Sequence, residues 1–356
     1  MPAFNPVIEH ATQLTTAWVE EAMRLGGVTG TLHSVAYQSV GTGQMGTTGR
    51  LSLTWSERSG PERVIVKFAE PMQEEADVPQ EGNRIEVRFY AEVADQVSVS
   101  VPHCYYGAVG DDGVAFVLIL EDMAPAEQGD QIAGCTVAQA HDAVRNIAGL
   151  HAPFWCDREI LSWDWTSVVT PAIADPLQEY LVRFTEPFIE RFGLGPDDAE
   201  VLRRSSKGAA TWIRGRSERF SAIHTDYRLD NLLFSTDTRT PPVTAIDWTN
   251  FAVGLPARDI GFFLCTSLSV TDRREYERDV VTAYGEELTR LGVPEQPSDQ
   301  LFDDYRWGLF QGVLVTVLGA MAASKPSVRG DEMFRVMATR TCAAIRDLAA
   351  LDLLGA

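Results

Sequence analysis

The sequence contains few cysteines, and their spacing matches neither a metal motif nor a disulfide framework. Five cysteines occur among 356 residues, none of them in a C-x-x-C pair, and their number is odd. Neither a zinc site nor a disulfide-stapled domain is therefore indicated, and a reducing cytoplasm is the expected location. The N-terminal segment also lacks a basic region followed by an apolar stretch, so no secretory signal is predicted. The cysteines are Cys104, Cys135, Cys156, Cys265 and Cys342.

Positive charge is scarce as well. Lysine and arginine total 30 against 50 aspartates and glutamates, which gives a formal net charge of −20. Such a charge repels the phosphate backbone of nucleic acids and the surface of anionic membranes, so neither is an expected partner. A cationic or neutral small molecule suits this field better. The sequence does not indicate an oligomeric state.

No apolar run is long enough to cross a bilayer comfortably. The longest one, from Gly308 to Ala323, is interrupted by Gln311 and Thr316, and it predicts a buried helix. The composition, 45% hydrophobic and 22% charged, is typical of a folded globular protein.

The first third of the chain has mainly strand-like patterns. A helical pattern around Thr12 to Leu25 is followed by alternating residues from His33 to Phe68, and then by a second helical pattern over about 82–94. Two further strands flank the turn at 111–113. We therefore predict five strands with one inserted helix.

Beyond Pro125 the patterns are those of long helices, for example Val137 to His151, Pro176 to Phe192, Asp198 to Arg216 and Asp272 to Leu291. One island of loops and strands lies between them, from His224 to Trp248. The chain is thus predicted to have an α+β fold with two lobes. The predicted boundaries are a β-rich nucleotide-binding lobe over 1–120, a hinge over 121–126 and a helical lobe over 127–356.

The strongest motif is H-x-D-x-x-x-x-N, from His224 to Asn231, which is followed by an apolar strand. A hydroxyl nucleophile needs a carboxylate that orients it and accepts its proton, and Asp226 fits this role of catalytic base. An amide oxygen a few residues later can bind the metal that holds the phosphates, which suits Asn231. His224 opens the motif and is assigned with Asp226 to the catalytic group. A capped turn before a strand is the alternative interpretation.

A lone carboxylate follows the next apolar strand. Asp247 directly follows the apolar segment Val243-Thr244-Ala245-Ile246 and lies about sixteen residues after the motif. Kinases keep a metal-binding aspartate at this place. We predict that Asp247 binds Mg²⁺. The alternative is an ordinary aspartate at a strand end.

A glycine cluster lies between the first two predicted strands. Gly41, Gly43 and Gly46 form G-x-G-x-x-G between two strands rather than between a strand and a helix, which excludes a dinucleotide-binding Rossmann motif. Such glycines let main-chain amides close over phosphates, although a flexible hairpin has the same composition.

A lysine interrupts an otherwise apolar strand. Lys67 follows Val64, Ile65 and Val66, and a lysine in such a place needs an acidic partner. In kinases a strand lysine holds the α- and β-phosphates and is positioned by a helix glutamate. Glu86 is the preferred partner here, Glu92 remains possible on the helical pattern, and a surface lysine is the alternative.

Taken together, these elements resemble the aminoglycoside phosphotransferase and choline kinase-like superfamily, small-molecule kinases whose fold is related to that of protein kinases. The resemblance covers nearly the whole chain. Its most specific segments are HTDYRLDNLLF and AIDWTNFAVGLPARDIGFFL. Thr225 departs from the pattern, since the family usually has glycine there. No activation loop is visible, so a protein substrate is not expected.

The resemblance implies further roles. It implies that Asp259 supports the catalytic loop, that ATP and Mg²⁺ are the cofactors, and that the segment from Val117 to Met123 is the hinge whose main chain meets adenine. Leu120 and Glu121 are therefore added to the nucleotide-binding residues. The choice between ATP and GTP stays open. His141 and His151 lack a third ligand and are interpreted as core or capping residues.

Three functions remain open for this sequence. One is a metabolic kinase, another is an aminoglycoside-type antibiotic resistance kinase, and the third is a nucleotide-binding pseudokinase. The basic segment from Arg203 to Arg219 favours a metabolite with an anionic handle such as a coenzyme A ester, because Arg203, Lys207 and Arg214 share a helix face. A solvated helix face is the alternative. The pseudokinase is disfavoured because Lys67, Asp226, Asn231 and Asp247 are all present.

Overall fold

The computed structural model divides the chain into two compact units. The first comprises Met1–Gln96, Val101–Ala124 and Asp247–Asn250, and the second comprises Val97–Ser100, Pro125–Ile246 and Phe251–Ala356. The predicted hinge and lobe boundaries stay predictions. The structure describes residues 6–8, 10–40, 47–57, 59–69, 81–111, 113, 115–237, 241–322 and 327–355.

The first unit is built on an antiparallel sheet. Five strands pair in the order β1-β2-β3-β5-β4, and helix α2 lies between β3 and β4 in the chain. This confirms the predicted five strands with one inserted helix. The bounds are α1 Thr16–Leu25, β1 Leu32–Ser39, β2 Thr47–Trp55, β3 Arg63–Phe68, α2 Glu81–Arg88, β4 Cys104–Val109 and β5 Phe116–Glu121.

The alternation of side chains along β3 places Lys67 on the face of the strand that lies opposite to the core. Val64, Val66 and Phe68 are buried in the core between the sheet and α1. Because side chains alternate across a strand, Lys67 projects from the opposite face, and its side chain retains 14% exposure. The apolar pattern that builds the sheet thus also keeps the lysine out of the core.

The second unit is mostly helical. Its helices are α3 Val137–His151, α4 Ala174–Phe192, α5 Pro196–Lys207, α6 Ala209–Arg214, α7 Ala257–Ser267, α8 Val270–Arg290, α9 Ser298–Gly308, α10 Phe310–Ala322 and α11 Val328–Asp347. The apolar run from Gly308 to Ala323 is thus mainly helix α10, where Val313, Val317 and Ala320 are buried. Among the described residues, no helix has both the length and the apolarity needed to span a membrane.

Short strands between these helices position the loops of the second unit. Strands β6, β9 and β10 form one three-stranded sheet, and β7, β8 and β11 form another. Their bounds are β6 Glu127–Gln128, β7 Ser167–Val168, β8 Ser221–Ile223, β9 Leu232–Phe234, β10 Val243–Ala245 and β11 Ala252–Gly254. The segment between β8 and β9 is the predicted catalytic motif.

One predicted helix is divided in two. The sequence pattern indicated a single helix from Asp198 to Arg216, whereas α5 ends at Lys207 and α6 begins at Ala209. Gly208 between them accepts a backbone conformation with φ −91° and ψ 2°. A Cβ atom there would lie 2.6 Å from Leu354 Cδ1, so glycine permits this close approach.

Candidate active site

Lys67 is the centre of a buried charge cluster in the first unit. Its Nζ lies 2.7 Å from Glu86 Oε2 and 3.3 Å from Asp247 Oδ1. Burial alone would lower the pKa of Lys67, but the carboxylates of Asp247 and Glu86 outweigh it and raise the pKa. Lys67 is therefore a fixed cation.

The structure selects Glu86 from the two glutamates that the sequence left open. Glu86 is 1% exposed, and its second carboxylate oxygen accepts from the main-chain N–H of Trp248 at 3.3 Å. Glu92 instead pairs with Arg88, four residues earlier, at 2.6 Å. The glutamate Glu86 thus connects the strand lysine to the residue that follows Asp247.

Asp247 has an unusual backbone conformation. Its φ is +65°, in the left-handed region that aspartate tolerates better than most residues. The carboxylate accepts from Thr249 Oγ1 at 2.9 Å, and the side chain is 39% exposed. Trp248 stacks on Phe89 with ring centroids 3.8 Å apart, which anchors the segment.

Of the other nucleotide contacts predicted in the first unit, Leu120 and Glu121 lie among the described residues. Leu120 lies in β5 opposite Ile65 and Cys104, and it is buried. Glu121 ends this strand, and its N–H donates to His103 O at 2.8 Å, so this N–H is already used within the sheet. The contact of this segment with adenine stays a prediction. The glycines Gly41, Gly43 and Gly46 lie outside the described residues.

In the second unit, Asp226 is held by two neighbours on the catalytic loop. Asn231 Nδ2 donates to Asp226 Oδ2 at 2.9 Å and also to its main-chain oxygen at 2.9 Å. Arg228 Nε lies 3.2 Å from Asp226 Oδ1. The carboxylate is therefore oriented by its own loop, and its side chain keeps 17% exposure. Arg228 was not among the predicted site residues, although it lies only two positions after Asp226.

The loop itself is anchored by Asp259. This fully buried carboxylate accepts from the main-chain N–H groups of His224 and Thr225 at 2.7 and 2.8 Å. The support that the family resemblance implied for Asp259 is thus a pair of hydrogen bonds immediately before Asp226. Gln311 Nε2 in α10 donates to the main-chain oxygen of Thr225 at 2.7 Å. Both the N–H and the carbonyl oxygen of Thr225 are therefore hydrogen-bonded.

His224 was predicted to belong to the catalytic group with Asp226, and this role stays a prediction. Its side chain is fully buried, and its Nε2 is hydrogen-bonded to Ile246 O at 3.0 Å. Ile246 N also donates to Asn231 O at 3.0 Å, one residue before Asp247. These contacts tie the catalytic loop to Ile246, the residue that precedes Asp247, so His224 also has a positioning role.

Asp259 also belongs to a buried hydrogen-bond network with His151 and Tyr284. His151, at the end of α3, places Nε2 at 3.1 Å from Asp259 and Nδ1 at 2.9 Å from the Tyr284 hydroxyl. Burial raises the pKa of Tyr284, so its hydroxyl stays protonated and can donate to Nδ1. His151 Nε2–H is then left to donate to Asp259. His151 is therefore a satisfied core residue, as the sequence suggested, but one that supports the catalytic loop.

Thr225 occupies the one loop position that departs from the family pattern. Its φ is +66°, a conformation that glycine adopts freely and a β-branched residue adopts only with strain. The backbone is held in this state by the Thr225 N–H, which donates to Asp259, and by the Thr225 oxygen, which accepts from Gln311. Thr225 is therefore held in a backbone conformation that favours glycine, at the expense of stability.

The substitution Thr225→Gly is expected to raise the free energy of unfolding. Removing the strain is favourable by roughly 1–2 kcal/mol, and the greater freedom of glycine in the unfolded chain offsets about half of that gain. Urea unfolding should show a net increase of about 0.5–1 kcal/mol. Thr170, whose φ is −112° and whose side chain makes no cap hydrogen bond, provides the control, since Thr170→Gly should lower stability. Equal losses for both variants would contradict the strain at Thr225.

The two predicted metal ligands have suitable donor atoms. Because Asn231 uses its amide nitrogen toward Asp226, its amide oxygen is the atom left for a cation. Asp247 offers a partly exposed carboxylate. Within the described ranges, no group of three or more histidine, cysteine or acidic side chains could hold a metal alone. Mg²⁺ commonly takes only one or two carboxylates from a protein and completes its shell with phosphates and water, so the carboxylate of Asp247 and the amide oxygen of Asn231 are each suitable donors for Mg²⁺.

The sheet with its lysine–glutamate pair and the helical unit with its H-x-D-x-x-x-x-N loop define a kinase-like fold. The family model described as the phosphotransferase enzyme family matches residues 45–293, more than half of the chain. The chain therefore belongs to the phosphotransferase enzyme family. This confirms the resemblance drawn from the sequence and makes the protein a phosphotransferase that acts on small molecules. No curated protein matches the sequence closely enough to count as a relative.

Solved structures with similar folds have little sequence identity to this chain. A choline kinase from Cryptosporidium parvum is 11% identical, with 90% of this chain and 92% of that chain covered and a TM-score of 0.58. The GDP complex of wild-type aminoglycoside 2'-phosphotransferase-IIIa is 15% identical, with coverages of 87% and 93% and a TM-score of 0.52. An ethanolamine kinase from Plasmodium vivax is 13% identical, with coverages of 87% and 82% and a TM-score of 0.52. At these identities the similarity establishes the fold.

Proposed function

We propose that this protein transfers the γ-phosphoryl group of ATP to a hydroxyl group of a small molecule, with Asp226 as the catalytic base. The observation that carries this proposal is the orientation of the Asp226 carboxylate by Asn231 on a loop anchored by Asp259. A general base must be held in place before the reaction and must reach the substrate's proton. Asp226 is both oriented and partly exposed.

The reaction that we propose is a simple displacement. The substrate oxygen forms a bond to the γ-phosphorus, the bond from that phosphorus to the β,γ-bridging oxygen breaks, and ADP leaves. The hydroxyl proton passes to a carboxylate oxygen of Asp226. Arg228, 3.2 Å from this carboxylate, stabilises its charged form before the reaction.

We assign the nucleotide to residues of the first unit on chemical grounds. Lys67, held as a cation by Glu86 and Asp247, suits the α- and β-phosphates. The predicted contacts of Gly41, Gly43 and Gly46 with phosphates, and of Leu120 and Glu121 with adenine, belong to this proposal. Asn231 and Asp247 are proposed to hold Mg²⁺, which would neutralise charge on the phosphates.

We further propose that the acceptor is cationic. Around the catalytic loop, the carboxylates of Asp226, Asp230 and Asp130 are matched by the guanidinium groups of Arg228, Arg329 and Arg340. Arg329 and Arg228 lower the pKa of Asp230 despite its partial burial, so this carboxylate stays charged. The support for a cationic acceptor is therefore the net charge of −20, which favours an amino alcohol or an aminoglycoside over an anionic metabolite.

The basic face that favoured a coenzyme A ester is largely neutralised within the protein. Arg203 pairs with Glu186 at 2.6 Å, and Arg214 pairs with Asp175 at 2.5 Å. Arg216 and Arg219 share the carboxylate of Asp304. Most of this positive charge is therefore already matched by acidic side chains, and we give the coenzyme A hypothesis second place.

The function is tested by a coupled assay of ADP release. Purified protein with Mg-ATP should release ADP in proportion to added acceptor for at least one member of a panel of amino alcohols, aminoglycosides, macrolides, sterols and hydroxyacyl thioesters. Product analysis must then show one phosphate per ADP on an acceptor hydroxyl. Nucleotide binding without acceptor-dependent release across the whole panel would support the pseudokinase alternative instead.

For a cationic acceptor, KM is expected to rise several-fold when the salt concentration is increased from about 0.05 to 0.5 M, since screening weakens attraction to exposed carboxylates. An uncharged alcohol that is also phosphorylated provides the control, because its KM should change little. The double substitution Arg203→Glu and Lys207→Glu should leave the KM of the cationic acceptor nearly unchanged. Turnover of a coenzyme A ester that this double substitution impairs would contradict the cationic proposal.

A further inference from the structure

A pocket of about 100 Å³ lies in the second unit at the beginning of strand β8, which leads to the catalytic loop. Phe220 precedes this strand, and Gly254 pairs with Ser221 at its first position. Both Phe220 and Gly254 line the pocket. The walls are mainly apolar, but three arginines also face the space. The lining residues include Leu161, Trp212, Arg216, Arg219, Arg258 and Trp307.

The acidic partners of two of these arginines do not line the pocket. Arg219 Nη2 pairs with Asp304 at 2.8 Å, and Arg216 pairs with Asp303 at 2.5 Å and also with Asp304. Neither Asp303 nor Asp304 is among the lining residues. The lining of the pocket therefore includes the arginines but not the two acids that neutralise Arg216 and Arg219.

Arg258 differs from the other two because, among the described residues, no acid forms an ion pair with it. It is 6% exposed, its Nε and Nη2 donate to Gln311 Oε1 at 2.9 and 2.7 Å, and its guanidinium stacks 4.6 Å from the ring centre of Trp212. Burial lowers the pKa of Arg258 to about 10, although the nearby charge of Asp259 opposes this shift. A buried cation without an anionic partner is unfavourable unless a ligand supplies one.

We propose that this pocket binds a small monocarboxylate with a short branched apolar body, and that binding is transmitted to the catalytic loop. The N–H groups of the Arg258 guanidinium that Gln311 does not use can donate to a carboxylate, which also supplies a negative charge to pair with the guanidinium. The apolar walls suit a hydrocarbon body rather than a phosphate. Since a cavity of about 150 Å³ accommodates benzene, the smaller volume here suits an acid of about six non-hydrogen atoms.

The side chain of Gln311 connects Arg258 in the pocket with the catalytic loop. Gln311 accepts from Arg258 through Oε1 and donates through Nε2 to the oxygen of Thr225, which directly precedes Asp226. The next residue after Arg258 is Asp259, which accepts from the N–H groups of His224 and Thr225. An anion that fixes the Arg258 side chain therefore acts through Gln311 on the hydrogen bond to the Thr225 oxygen, at the residue whose N–H is held by Asp259.

Binding is tested with isobutyrate, its neutral isostere isobutyramide and inorganic phosphate, each titrated into the full chain in a buffer free of carboxylates. Calorimetry and tryptophan fluorescence, which reports on Trp212 and Trp307, should show isobutyrate binding with a Kd on the order of 1 mM. Isobutyramide should bind at least about tenfold more weakly, because it lacks the charge. Equal binding of the acid and the amide, or binding of phosphate in preference to isobutyrate, would overturn the proposal.

Two variants separate the pocket from general effects on folding. Arg258→Gln should weaken isobutyrate binding at least about tenfold, since it removes the buried cation. Leu161→Trp adds bulk at the exposed rim and leaves the contacts of Arg258 with Gln311 intact, so it should fold and should also prevent binding. Unchanged affinity in a folded variant of either kind would refute the assigned site.

Transmission to the loop is measured by hydrogen–deuterium exchange, which does not depend on phosphotransferase activity. In the parent chain, saturating isobutyrate should slow exchange several-fold in the peptide that covers His224 and Thr225. In Gln311→Leu, this protection should be lost, although the variant should still bind isobutyrate in part. Protection that persists in Gln311→Leu, or isobutyrate binding without any slowing of exchange in the parent chain, would refute the coupling.

Discussion

Replacement of Asp226 by asparagine is expected to lower kcat at least about a hundredfold, because the amide cannot accept the hydroxyl proton in the transition state. The affinity for Mg-ATP should change little, since Lys67 and its partner Glu86 belong to the other compact unit. The ADP-release assay with a saturating acceptor measures kcat, and calorimetry with ATP measures nucleotide binding.

The design of this experiment follows from the contacts of Asp226. The asparagine side chain has nearly the same size as the aspartate that it replaces, and the anchoring hydrogen bonds of Asp259 would remain, so the loop should hold its shape. Asp226→Glu retains a carboxylate but displaces it, and it should give an intermediate loss. Asp352→Asn removes an exposed carboxylate elsewhere in the same unit and should leave kcat unchanged. Parent-like turnover in Asp226→Asn would show that another group accepts the proton.

Local patterns predicted the architecture because they determine local structure directly. Alternating residues indicated strands over His33 to Phe68, a range that includes β3, and helical spacing indicated α3 with its observed bounds, Val137–His151. The choice between Glu86 and Glu92 could not be made in this way. Helix α2 ends at Arg88 and continues as a π turn from Phe89 to Val93, which changes the angular position of Glu92. Regular helical spacing does not predict such a turn.

Contacts between distant parts of the chain were beyond these patterns. His151 meets Asp259 across 108 residues and Tyr284 across 133, so no spacing in the sequence connects them. The arginines from Arg203 to Arg219 illustrate the same limit, because the pattern showed a shared face but not the acids packed against it. Arg203 meets Glu186 of α4, and Arg214 meets Asp175 of the same helix. Whether a basic face is free depends on tertiary neighbours.

The catalytic loop shows how an exception to a family pattern can be maintained. Thr225 adopts a backbone conformation that favours glycine, and it does so where Asp259 binds its N–H and Gln311 binds its oxygen. Strained residues persist where their surroundings determine the backbone completely. Gln311 contributes both to this loop and to the environment of Arg258. The same side chain therefore connects the strained loop with the arginine-lined pocket.

Loss of the Asp247 carboxylate is expected to remove most of the gain in ATP affinity that Mg²⁺ provides. Asp247→Ala should weaken Mg-ATP binding at least about tenfold, because one of the few carboxylates available to the metal disappears. Binding of ATP without metal should be unchanged or tighter, since the same substitution removes a negative charge beside Lys67. Calorimetric titrations of ATP with Mg²⁺ and with a chelator give both affinities for each variant.

The backbone at Asp247 determines which variants are informative. At φ +65°, alanine introduces strain that asparagine largely avoids, so Asp247→Asn separates the loss of charge from a change in backbone conformation. The amide oxygen of asparagine remains a weak ligand, and the gain from Mg²⁺ should therefore decrease from the parent to Asp247→Asn and further to Asp247→Ala. Glu57→Ala removes an exposed carboxylate from the same unit and should preserve the parent's metal dependence. If Mg²⁺ improved ATP binding equally in the parent and in both Asp247 variants, another group would have to hold the metal, and the role of Asp247 would be structural, through contacts such as those with Lys67 and Thr249.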